Sequence, residues 1–283
     1  MQILLIDCQY LCYRAWHSAK RESNVPMLLA VLENEAQNIS QRFGSDRIVF
    51  AFDSELSKRR DMCPSYKAKR YENRTEEERL EHQEFCQQIN HVRDNLLGRL
   101  GYANVFVKSG YEADDIIAKI CQDLERKHDA VIYSADKDLW QCLKPNVVWC
   151  SPTTNQVVTQ RSFAEEWGLA PHEWANVKAL AGCSTDNVEG LEGIGEKTAA
   201  LFLRGCLTTG KKAATINLKM EEILDRNLPL VKLPFDQMES FEIQPDDLTK
   251  AKRQVVMEEL GVALPIKTER KRQGFALGRK SSE

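Results

Sequence analysis

Short β-rich runs that lead into acids, separated by longer stretches of helical periodicity, most narrowly limit what this chain can fold into. The runs are QILLID (Gln2 to Asp7), RIVFAFD (Arg47 to Asp53), NVFVK (Asn104 to Lys108), AVIYS (Ala130 to Ser134) and a weaker NVVWC (Asn146 to Cys150). Helical patterns lie between them at Met27 to Phe43, Glu76 to Leu100 and Ala113 to Lys127. Strands separated by helices imply right-handed crossovers and a mostly parallel sheet covered on both faces. An α/β domain is therefore expected over about residues 1–165.

Beyond about Arg161 the β signal fades. Short helices are expected at Arg161 to Trp167, His172 to Ala181, Glu196 to Arg204, Met220 to Arg226 and Leu248 to Leu260, giving a helical region over about 166–265. From 266 to 283 the chain reads as a mobile basic tail, with Lys267, Arg270, Lys271, Arg272, Arg279 and Lys280 against Glu269.

Composition excludes several classes. With 42% hydrophobic and 29% charged residues in 283, the chain is neither disordered nor collagen-like, and is long enough for about two domains. No apolar run reaches the length of a membrane span, and MQILLIDCQY carries an acid and no basic lead-in, so no membrane partner and a cytoplasmic address are expected. Nine cysteines without framework spacing argue for reduced thiols, and Cys8 with Cys12 lacks the second pair a zinc site needs. Net charge is 39 minus 42, or −3, which on its face weakens the case for a nucleic-acid partner.

The position of the acids changes that inference. Asp7 and Asp53 end the first two strands, Glu112 and Asp114 follow the third across a Ser-Gly-Tyr turn, and Asp136 and Asp138 follow the fourth. The carboxyl ends of parallel strands share one edge, where ligands bind. Each acid alone reads equally as a helix cap. Convergence of the set calls for positive charge, and with only Lys137 inside these motifs the natural counter-charge is a divalent cation. Oxygen-only ligands favour Mg²⁺ or Mn²⁺, and more than four acids suggest more than one ion, as in phosphoryl chemistry where ions activate water and stabilise developing charge.

Two further segments could meet phosphates. Lys58 to Arg74 holds Lys58, Arg59, Arg60, Lys67, Lys69, Arg70 and Arg74 against Asp61 and Glu72, with Tyr66 and Tyr71 interleaved, as suits a nucleic-acid backbone with an unstacked base. GLEGIGEKTA (Gly190 to Ala199) sets Gly190, Gly193 and Gly195, with Ile194 between, ahead of a helix starting near Lys197 and Thr198. Such a turn lets backbone N–H groups approach a phosphate without reading bases.

With LLIDCQYLCYRA, FAFDS, YKAKR, GYEADDIIA, SADKDL and ALAGCSTDNVEGLEGIGEKTAALF in this order, the chain resembles the 5′ nuclease (flap endonuclease) family, which includes the nuclease domain of bacterial DNA polymerase I and free-standing bacteriophage 5′→3′ exonucleases. The resemblance runs to about Leu207. It implies a PIN-like core with a mostly parallel sheet, a helical arch over about 58–100 and a helix-hairpin-helix-type motif over about 176–205. Carried over, Asp7, Asp53, Glu112 and Asp114 form a first metal site, and Asp136, Asp138 and Asp186 a second, with Asp115 behind them. Lys67 and Arg70 would steer the scissile phosphate, Arg14 would stand near the site, Tyr66 would stack on a displaced base, and Lys69 and the glycine turn would contact DNA. The implied cofactors are two Mg²⁺ (or Mn²⁺), with K⁺ at the helix-three-turn-helix. The implied partner is DNA with a single-stranded 5′ end or flap, or an RNA primer on DNA, engaged by a monomer.

One departure stands out. The family commonly reads G-D-x-x-D-N, whereas this chain reads Gly182-Cys183-Ser184-Thr185-Asp186-Asn187. A thiol is a poor Mg²⁺ ligand, so a weak second site is expected. A DNA-binding protein with damped catalysis and a PIN-like ribonuclease are the competing readings. Setting aside the eight assigned acids leaves 39 basic against 34 acidic residues, or +5, so the overall −3 averages an acidic pit with a net basic remainder.

Overall fold

The computed structural model describes residues 1–72 and 74–261; the basic stretch Lys267 to Lys280 lies outside the described residues. Among the described residues the main sheet comprises β1 (Gln2–Asp7), β2 (Arg47–Phe52), β3 (Asn104–Val107), β4 (Asp129–Tyr133), β5 (Val147–Cys150) and β6 (Val157–Val158), in the order β3-β2-β1-β4-β5-β6. All neighbours are parallel except β6, which runs antiparallel to β5. β1 lies centrally because Ile3, Leu4, Leu5 and Ile6 are all buried, so the strand reads as a continuous apolar run rather than an alternating one.

Helices cover both faces. α1 (Cys8–Ser18), α2 (Val25–Phe43), α5 (Glu76–His91) and α6 (Leu97–Leu100) pack with Leu4, Ile6, Phe50 and Phe52, after α3 (Lys58–Met62) and α4 (Lys69–Glu72) have carried the chain past the sheet edge. α7 (Ala113–Asp123), α8 (Gln160–Trp167), α9 (Trp174–Ala181), α10 (Glu196–Leu203) and α11 (Gly210–Val231) pack against the opposite face, with Ile3, Leu5, Val49 and Ile132. The helical region thus shares a core with the sheet. α12 (Lys250–Glu259) returns to the first face through Val256 and Met257.

Most anticipated elements form, with instructive differences. α1 was hidden by its composition, yet Cys8, Leu11, Cys12, Ala15 and Trp16 make a buried stripe at helical spacing. α7 stops at Asp123 rather than Lys127, because Leu124 turns extended to bring the chain back to β4. α11 far exceeds Met220 to Arg226, and Pro229, which reads as a breaker, is accommodated in its last turn. Glu76 to Leu100 is one helical run that widens over Val92–Leu96 and ends at Gly101, whose φ of 103° suits a glycine.

Residues 235–247 form a strap along the outer edge of β3. Phe241 packs on Phe106 with ring centroids 4.9 Å apart, and Gln244 exchanges two hydrogen bonds with the Asn104 side chain (2.7 and 2.9 Å). Asp246 then accepts from the backbone N–H of Ile48 and Ala103.

An aromatic cluster fixes the helical region to the sheet. Trp174 is fully buried, its ring 4.6 Å from Trp167, 5.3 Å from Trp140 and 5.6 Å from Phe163, and Trp140 in turn meets Trp149 of β5 edge-on. Trp174→Ala should lower unfolding stability by about 3–5 kcal/mol, measured as a shift in the urea midpoint at unchanged slope. A shift corresponding to less than about 1 kcal/mol would show that the cluster collapses around the loss.

Candidate metal centre and nucleic-acid interface

The carboxyl edge of the sheet places each acid through its local turn. Asp7 caps α1, accepting from Tyr10 N at 3.1 Å, while its other oxygen accepts from the Ser134 hydroxyl at 2.7 Å. Asp53, just past β2, accepts from Ala113 N at 2.8 Å and so joins the second strand to the start of α7. Glu112 holds the N-cap position of α7, with Asp114 in the first turn. Asp136 caps the tight turn Lys137–Cys142 and accepts from Asp138 N at 2.8 Å. Capping and convergence are therefore compatible, because the cap geometry fixes where each carboxylate sits.

The acids perturb one another. Asp53 is pushed up to about 7, first by burial and then by the neighbouring Glu112 charge. Asp136 rises to about 6 through burial and Asp138. Asp7, Asp114 and Asp138 are raised by burial above all, with further carboxylates adding to it. Glu112 goes the other way: burial would raise it, but Lys67 and Arg59 outweigh burial.

Counter-charge also arrives from outside the acid motifs. Lys67 Nζ donates to Glu112 Oε1 at 2.7 Å, and Arg70 Nη2 to Asp186 Oδ1 at 2.6 Å. The backbone agrees, since Lys67 N donates to the Asp186 carbonyl at 2.9 Å, with Lys67 at a φ of 56°. Lys178, buried in the apolar helix α9, reaches Asp138 and Glu196, each at 3.1 Å. Arg59, 3% exposed, forks onto Asp115 at 2.6 and 2.7 Å. Sequence reasoning missed Arg59 and Lys178 as site residues. A lysine inside WANVKALA could have signalled a buried partner, whereas Arg59 looks no different from its basic neighbours.

Asp115, expected behind the metal sites, is fully buried and committed to Arg59. Several other expected roles change. Tyr66 is 4% exposed and donates its hydroxyl to Glu112 Oε2 at 3.0 Å, so its ring is not presented for stacking on a base. Arg14 is held by Glu35 at 2.6 Å and by the Pro152 carbonyl, and makes no hydrogen bond to the acids. Gly190 is required by packing rather than by phosphate approach, because a Cβ there would come within 2.2 Å of the Ala181 carbonyl group. Ile194 is buried in the core. Gly193, with a φ of 73°, and Gly195 do face open space, and Lys69 and Lys197 are exposed. Thr198 is partly buried near the start of α10. The turn is anchored by a two-residue hairpin of β7 (Gly182–Cys183) and β8 (Val188–Glu189) between the packed helices α9 and α10.

Among the described residues no three His, Cys, Asp or Glu side chains form a ready-made cage. Glu112, Asp138 and Asp186 each turn to a cation of the chain instead. The donor set still suits a hard cation: its candidate ligands are carboxylates, and Asp53, Asp114 and Asp136 are buried within electrostatic reach of further carboxylates.

Known proteins resemble this chain in sequence and in fold. Residues 2–168 match the 5′-3′ exonuclease, N-terminal resolvase-like domain. The thermostable DNA polymerase I of Thermus aquaticus is 31% identical over 209 residues, covering 71% of this chain and 24% of that protein. A 5′-3′ exonuclease of Mycoplasmopsis pulmonis is 31% identical over 206 residues, covering 71% of this chain and 66% of the other. The D15 protein of bacteriophage T5, crystallised with metal ions, superposes with a TM-score of 0.69 at 25% identity, covering 83% of this chain and 90% of that one. The chain spans about a quarter of the length of the polymerases it matches. It belongs to the 5′-3′ exonuclease family.

The raised carboxyls make a pH prediction. A carboxyl whose folded pKa exceeds its ordinary value of 3.8 makes the folded state the tighter proton binder, so stability falls as pH rises from about 4 through the folded values of about 6 and 7. The melting temperature in EDTA should therefore be lower at pH 8 than at pH 5. A divalent ion, which needs the ionised acids, should raise it more at pH 8. Equal increments at both pH values would contradict the assignment.

Proposed function

We propose that the chain is a divalent-metal-dependent, structure-specific 5′ nuclease acting near the 5′ end of DNA, as a flap endonuclease and 5′→3′ exonuclease, in primer or flap removal within the cytoplasm. The observation that carries this reading is the set Asp7, Asp53, Glu112, Asp114, Asp136 and Asp138 at the carboxyl edge of the sheet, with Asp186 of the β7–β8 turn near Asp136 and Asp138 and with Lys67 and Arg70 paired to Glu112 and Asp186. These acids would hold two Mg²⁺ or Mn²⁺ ions, which when bound supply Lewis acidity and lower the pKa of attacking water.

The chain's own groups do the rest. Lys67 Nζ and the Arg70 guanidinium, now paired with Glu112 and Asp186, would be free to meet a phosphodiester if those acids held metal, and there would stabilise charge developing on its oxygens. The exposed turn at Gly193 and Gly195 would offer the start of α10 to the backbone of the downstream duplex and would hold K⁺, with the exposed Lys69 and Lys197 adding positive charge. Nothing in this mode reads bases. A single copy suffices, and the same chemistry would serve an RNA primer on DNA.

A labelled 5′-flap duplex tests the reading. Junction cleavage and short 5′ products are expected with Mg²⁺ or Mn²⁺ and none in EDTA. Binding without cleavage at every metal concentration would favour a DNA-binding protein, and preference for single-stranded RNA would favour a ribonuclease.

Cys183 bears on the second ion. Its thiol lies 3.0 Å from Thr185 Oγ1, and burial together with Asp186 pushes it up, so it stays neutral near pH 7. Cys183→Asp should restore an oxygen donor and lower the Mg²⁺ concentration for half-maximal cleavage. An unchanged metal titration would show that the second site is completed without residue 183.

A further inference from the structure

Arg59 belongs to none of the acid motifs, yet it joins three distant segments. It sits in α3, whose start is fixed by the Ser57 cap and by Lys58 N donating to the Gly110 carbonyl at 2.9 Å. Its guanidinium forks onto both oxygens of Asp115 and lies 3.5 Å from Glu112 Oε2. Nε donates to the Leu230 carbonyl at 3.0 Å, Nη2 reaches the Lys232 carbonyl at 3.4 Å, and the group lies over the Phe235 ring at 5.1 Å.

Asp115 passes this fixation on. Its Oδ2 accepts from Glu112 N at 3.1 Å and its Oδ1 from Phe235 N at 2.8 Å. The main chain and the carboxylate of Glu112 are thus both referred to one buried guanidinium. A buried charge pair with a fully used fork is held in place far more tightly than an exposed one, and Arg satisfies such a geometry where Lys cannot.

We propose that Arg59 is a positioning residue for the metal-facing Glu112, acting through Asp115, and that it couples the base of the arch to the end of α11. The inference rests on the metal-dependent nuclease reading. It assigns Arg59 a task distinct from that of Lys67 and Arg70: they are free to leave their carboxylates when cations arrive, whereas Arg59 stays with Asp115.

The test is Mn²⁺ binding counted by the electron paramagnetic resonance of the free ion, which needs no turnover, together with binding of a 5′-flap duplex in EDTA. Arg59→Lys keeps the charge and loses the fork. Asp115→Asn keeps the shape and loses the charge, and carries the test alone if the first variant does not fold. Both should weaken Mn²⁺ binding about 10-fold or more, as loss of a partner behind a metal ligand does. Duplex binding should stay within about 2-fold, since those contacts lie at α10. Unchanged Mn²⁺ affinity in the folded variants, or metal and duplex binding lost together, would overturn the proposal. If the unaltered chain takes up no Mn²⁺, it is the nuclease reading that fails, and the parent measurement alone reveals it.

Discussion

Crowded negative charge at the carboxyl edge of the sheet is the constraint on which the rest of this molecule depends. Burial removes the water that would screen these carboxylates, so they either hold protons or recruit cations. Asp53 and Asp136 illustrate the first response, with values raised to about 7 and about 6. Lys67, Arg70 and Lys178 illustrate the second, each drawn from a segment distant from the acid it meets. The path of the α3–α4 segment over the edge follows from these pairings: Lys67 accepts a left-handed backbone and bonds the Asp186 carbonyl on the way.

The architecture was largely legible because its physics is local. Apolar runs of strand length leading to acids gave the sheet and its functional edge, and the order of motifs gave the family. Obscured were features set by tertiary partners. α1 escaped notice because YLCYRAW carries no polar face that contrasts with its buried stripe, and α11 because Pro229 looks like a stop. Tyr66 looks like a stacking residue in a basic, aromatic segment, and only the fold reveals that its ring is covered and its hydroxyl spent on Glu112.

The glycine turn teaches the same lesson from the backbone. Three glycines in GLEGIG suggest three reasons to approach a phosphate. In the structure Gly190 exists so that it can pack against Ala181 and Gly182, and Gly182 in turn leaves no room for a Cβ against Gly190 N. Gly193 and Gly195 remain exposed. Composition cannot separate a glycine needed for close packing from one needed for open approach; the neighbours decide.

The strap along β3 has a different bearing. An edge strand offers unpaired backbone groups to any extended chain that drifts alongside. Here residues 235–247 run the length of that edge, fastened by Asn104, Asp246 and the Phe106–Phe241 contact, while the opposite margin ends in a strand of only two residues. Both margins are thereby poor templates for strand addition, and pairing of a second extended chain onto the sheet is disfavoured at either edge.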